Sequence, residues 1–126
     1  MRVNFGKSSP ELVARFTELT PPDEHVVRKP MFGWPCLFVN GNLFMGLHRE
    51  GLIVRLPAEE LGSILALSDA TGFEPMPGRI MAGYAMITNP LAWNEKDLKE
   101  WIAKSLAFAR QLPTKEKKPA KKERKW

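Results

Sequence analysis

The chain has 126 residues, 44% hydrophobic and 26% charged, which suffices for one core and matches an ordinary globular composition. Its single cysteine excludes an internal disulfide framework, and no apolar run approaches the length that crosses a bilayer. The net charge of +5 is local: residues 114–126 hold seven Lys/Arg against Glu116 and Glu123, so the other 113 residues carry twelve basic and twelve acidic groups.

The first residues, MRVNFGKSSP, start basic but have no apolar stretch behind them, so they do not read as a secretory signal. With one cysteine in a chain without a disulfide, a reducing, cytoplasmic location is expected. Ser8 or Ser9 before Pro10-Glu11 marks a helix start, because proline is tolerated where the first N–H has no helical partner. Leu12, Phe16 and Leu19 recur at helical spacing, and Pro21-Pro22 ends the run. Residues 23–27 read as a connector or a short helical turn.

Asn40-Gly41 between two apolar runs is a strong hairpin signal, since a type I′ turn needs two residues that tolerate positive φ. It predicts strands over about 36–39 and 42–48, and a second tight turn at Arg49-Glu50-Gly51 returns the chain into 52–56. Strict pairing sets Val39 opposite Asn42, Phe38 opposite Leu43, Leu37 opposite Phe44 and Cys36 opposite Met45. One face then carries Cys36, Phe38, Leu43, Met45 and Leu47, and the other Leu37, Val39 and Phe44.

Pro57-Ala58-Glu59-Glu60 opens a second helix with acids where the helix dipole favours them; Leu61, Ile64, Leu65 and Ser68 mark its inner face. Residues 70–78, with two glycines and two prolines, read as a loop. A strand follows over 79–87, with Met81, Ala85 and Ile87 against Ile80, Ala82, Tyr84 and Met86. Asn94 caps a last helix striped by Leu98, Trp101, Ile102, Ala109 and Leu112, which Pro113 stops.

The expected fold is therefore α+β: an antiparallel sheet of four to five strands flanked by about three helices, in the order α-β-β-β-α-β(β)-α. The expected organisation is one domain over 1–113 and a basic, disordered tail over 114–126. Both strand faces are apolar, so either helices cover both or a partner covers one. A homodimer through the sheet or its edge is the second option.

Four segments carry a family resemblance: RK-x-MFG at Arg28 to Gly33, FVNGNLFMGL at Phe38 to Leu47, VRLP at Val54 to Pro57, and FEPMPGR at Phe73 to Arg79. The closing helix LKEWIAKSLAFARQLP and its lysine-rich end look like small stand-alone members of the same family. In this order they resemble the N-terminal domain of the TfoX/Sxy family, named for regulators of bacterial competence for DNA uptake. The resemblance implies an antiparallel α+β domain and a regulatory role. The full-length competence regulators carry a second, C-terminal domain where this chain has its basic tail, which weighs against a role in competence.

The chemistry visible in the residues is sparse. His25, His48 and Cys36 are the only strong metal ligands and show no ligand spacing, so no metal site and no cofactor is expected. Cys36 beside Leu37 and Phe38 reads as a core residue rather than a nucleophile. No catalytic serine elbow, phosphate loop or nucleotide fingerprint is present, and no enzyme is expected.

Candidate binding residues are Arg28, Lys29, Met31, Phe32, Gly33, Trp34 and Arg79, which would form an anion or carboxylate pocket by the Met31-Phe32-Gly33 turn. The plainer alternative is that the cationic stems pack over the core with their charges in water. Trp34-Pro35 reads either as an exposed interaction spot or as a lid on the sheet. In the tail, Lys117, Lys118, Lys121, Lys122, Arg124 and Lys125 suit weak, non-specific nucleic-acid contact through counterion release. The function expected is a non-catalytic cytoplasmic binding or regulatory module acting on an unidentified protein partner, with nucleic-acid binding through the tail as the alternative.

Overall fold

Ser9 opens the first helix, its side chain accepting from the Leu12 N–H at 3.2 Å, in a computed structural model that describes residues 8–31, 33–67, 69–74 and 78–113. The elements run α1 (Pro10–Leu19), β1 (Val26–Met31), β2 (Trp34–Val39), β3 (Asn42–His48), β4 (Gly51–Arg55), α2 (Ala58–Leu65), β5 (Ala70–Gly72), β6 (Tyr84–Ile87) and α3 (Glu95–Gln111). A 3₁₀ turn over Pro90–Ala92 leads into α3. The strands form a single antiparallel sheet in the order β1-β2-β3-β4-β6-β5.

The α+β class and the flanking helices are as the sequence predicts, but the sheet has six strands. The added strands lie where sequence signals argue against pairing. Residues 26–31, read in part as connector, form β1, which tolerates Arg28, Lys29 and Pro30 because an edge strand has one ladder direction open to water. Residues 70–72, read as loop, form the short opposite edge β5. The strand predicted from Arg79 begins only at Tyr84.

The Asn40-Gly41 turn has the positive φ values its sequence requires, 53° and 80°. Val39 faces Asn42 and Phe38 faces Leu43, as expected, but beyond them Leu37 faces Met45 and Cys36 faces Gly46. Phe44 is the extra residue of a β-bulge. The predicted faces are corrected accordingly: Met45 and Leu47 join Leu37, Val39 and Phe44 on the helix side, in one cluster with Leu12, Phe16, Leu98 and Ile102. Ser105 explains why the bulge is tolerated, since its buried hydroxyl donates to the Phe44 carbonyl at 2.6 Å and accepts from the Arg55 N–H at 3.2 Å.

The second face carries Cys36, Leu43, Ile53 and Tyr84. No helix lies over it among the described residues; Phe73 and Met81, from the connection between β5 and β6, do. That cover is partial and leaves Met31, Phe38 and Met86 half-buried. In α2, Ile64 is buried and Leu61 half-buried, while Leu65 lies outward rather than inward and Ser68 is outside the described residues. In α3, Leu98, Ile102 and Ala109 are buried as predicted, Trp101 is half-buried, and so is Leu112, which caps the helix rather than lying in it.

Candidate binding site along the first strand

Pairing of β1 with β2 sets Val27 and Lys29 on the second face with Phe38 and Cys36, and Arg28 on the helix face with Leu37; Met31 pairs with Trp34, which also packs against the helix-side cluster. The two cations of the basic pair therefore leave the strand in opposite directions. The Arg28 guanidinium lies 5.2 Å from the Phe16 ring centre of α1, and its Nη1 donates to Thr17 Oγ1 at 3.0 Å. The Lys29 ammonium lies 5.2 Å from the Phe38 ring centre. Each charged group lies over an aromatic ring.

Gly33 leads into Trp34 at the start of β2. Gly33 has φ of 88°, which favours glycine; Phe32 lies outside the described residues. The Trp34 ring centre is 4.5 Å from that of His48, which stands 5.1 Å from Phe73 in an edge-on arrangement. The Arg49 guanidinium lies 5.9 Å from the Trp34 ring centre. Burial, and then the charge of Arg49, hold the His48 imidazole below its usual value. Trp34 is thus half-buried in an aromatic stack, and its Nε1–H is buried without a partner among the described residues.

Arg79 is exposed on the connection from β5 to β6. Of the three cations expected around one pocket, Arg28 and Lys29 lie on opposite faces of β1. The tail lysines and arginines lie outside the described residues.

Burial raises the Cys36 thiol to about 11, which keeps it protonated and unreactive near neutral pH. Across the ladder, Gly46 is required: a Cβ there would sit 2.7 Å from the Cys36 sulfur. Tyr84 is raised chiefly by burial, with Arg55 opposing, and its hydroxyl donates to the Leu43 carbonyl at 3.1 Å. These groups are structural in their contacts.

Sequence reasoning missed three participants: His48, Ser105 and the edge backbone of β1. The period of α3 did indicate an inward position 105, three residues past Ile102 and four before Ala109. His48 had no local signal, since its neighbours Trp34 and Phe73 are distant in sequence.

The fold and these contacts define a single-sheet α+β domain with helices on one face and a cation-bearing open edge. The chain matches the TfoX N-terminal domain over residues 18–109 and belongs to that family. No curated protein and no solved structure matches it. No helix among the described residues is long and apolar enough to cross a membrane.

Proposed function

We propose that this protein is a non-catalytic, cytoplasmic binding or regulatory module that works through protein contacts. The observation that carries this reading is its membership of the TfoX N-terminal domain family over residues 18–109. Support comes from the groups at the candidate site: Arg28 and Lys29 lie over aromatic rings, and Cys36 is buried and protonated. Such a surface offers adhesion along an edge rather than a cleft for a reaction.

Affinity capture from native lysate tests it, with the full chain and a version lacking residues 114–126 as baits. The expected result is a protein retained equally by both at physiological salt. Retention of nucleic acid alone, lost with the tail, overturns it in favour of the second reading. That alternative is weak, non-specific nucleic-acid binding through the seven basic residues of 114–126. Sedimentation of both forms reads whether a second copy of the chain is among the partners.

A further inference from the structure

We propose that the outer edge of β1 is a strand-addition site for an extended peptide segment in which acidic and apolar residues alternate. The proposal rests on the reading of the protein as a binding module and names the chemistry of its partner.

The backbone argument starts from two prolines. Pro30 stands opposite Pro35, and neither has an N–H, so this pair exchanges no hydrogen bond. Alternation along the ladder makes Arg28–Leu37 another such pair. The N–H and C=O of Arg28 therefore point away from β2, as does the C=O of Pro30. The Val26 N–H points the same way and is already taken by the Asp23 carbonyl at 3.0 Å. Among the described residues β1 ends the sheet, and 27–30 are exposed, Val27 by 50%. What remains is a short row of outward backbone groups centred on Arg28, the arrangement that an added strand completes.

The side chains set the partner's pattern. A residue paired with Arg28 shares its face and meets a guanidinium anchored on Phe16 and Thr17, so a carboxylate fits there. Its neighbours, paired with Val27 and Lys29, fall on the other face. There they meet the exposed Val27, the half-buried Phe38 and the methylene stem of Lys29, which suit apolar side chains. The reading frame is fixed because a slip of one residue sends every side chain to the wrong face.

Other occupants fit poorly. A second copy paired about the middle of β1 opposes Arg28 to Arg28 or to Lys29, which is repulsive. Residues 1–7 contain Arg2 and Lys7 and no acid, and in 114–126 Glu116 and Glu123 are each flanked by basic residues, so neither segment offers acids alternating with apolar residues.

The test uses the full chain and a fluorescein-labelled peptide of alternating valine and glutamate, the length of β1 (6 residues), read by fluorescence anisotropy. A peptide of the same composition with its valines and glutamates in separate blocks controls for attraction to the basic tail. The alternating peptide should bind ~10-fold more tightly than the blocked one, and Arg28→Glu should weaken it by a similar factor. Lys96→Glu, an equal charge change on α3, should not. Backbone N-methylation of the peptide at the residue facing Arg28 should abolish binding, and binding should slow exchange of the Arg28 amide proton; neither readout depends on a variant folding. Equal binding of the two peptides, indifference to N-methylation or an unchanged Arg28 amide overturns the proposal. If it fails while lysate capture still retains a protein, the binding-module reading stands without this edge; if capture also fails, both fall.

Discussion

His48 is the residue whose surroundings most directly set a measurable property. It is half-buried between Trp34 and Phe73 with the charge of Arg49 nearby, so its neutral form is favoured in the folded state. With the folded value lowered, this contribution to stability is fully present above the unfolded value of about 6.5 and is lost as pH falls from there towards the folded value. Thermal unfolding of the parent chain should therefore lose stability below about pH 6.5, and His48→Phe should flatten that slope. An identical slope in the variant would assign the effect elsewhere. Ser105 makes a second prediction at this scale. Ser105→Ala strands the Phe44 carbonyl in a dry site and should cost about 1–3 kcal/mol in chemical denaturation. A loss of only a few tenths would mean the bulge finds another donor.

At the scale of elements, the sheet derives its asymmetry from one extra residue in β3. The bulge at Phe44 turns Met45 and Leu47 towards the helices, so three consecutive large side chains of β3 other than the Gly46 position pack under α1 and α3. The opposite face is left with Cys36 packed across from Gly46. Gly46→Ala forces a Cβ to 2.7 Å from the Cys36 sulfur and should destabilise by about 1–3 kcal/mol. Cys36→Ala, itself a cavity-forming change, should recover part of that cost in the double variant. Strict additivity of the two changes would show that the strands relax apart instead. The hairpin turn and the helix caps were legible in the sequence because each is decided by residues next to one another: Asn40-Gly41 by backbone sterics, Ser9 and Asn94 by short side-chain bonds. The bulge was not, because its stabilising partner Ser105 lies 61 residues away.

At the scale of the molecule, the two faces of the sheet are covered by different means. Helices seal one face, and the β5 to β6 connection covers part of the other, which leaves the exposed Val27 and the half-buried Phe38 next to the open edge. Charge is partitioned as well, with a balanced body over 1–113 and an excess confined to 114–126. Removing 114–126 should therefore abolish any retention on a nucleic-acid column, and raising salt should do the same to the full chain. Retention by the shortened chain would place the contact on the body.

The sequence by itself determined the α+β class, the hairpin, the helices and the family, because periodicity, turn sterics and capping act over a few neighbouring residues. The six-strand count, the sidedness of Met45 and Leu47, the separation of Arg28 from Lys29 and the open edge of β1 were decided only by the tertiary structure. Each depends on which strand lies beside which and on one inserted residue in the ladder. A single-residue change of register reverses the direction of every side chain beyond it, and no local pattern in the chain records that.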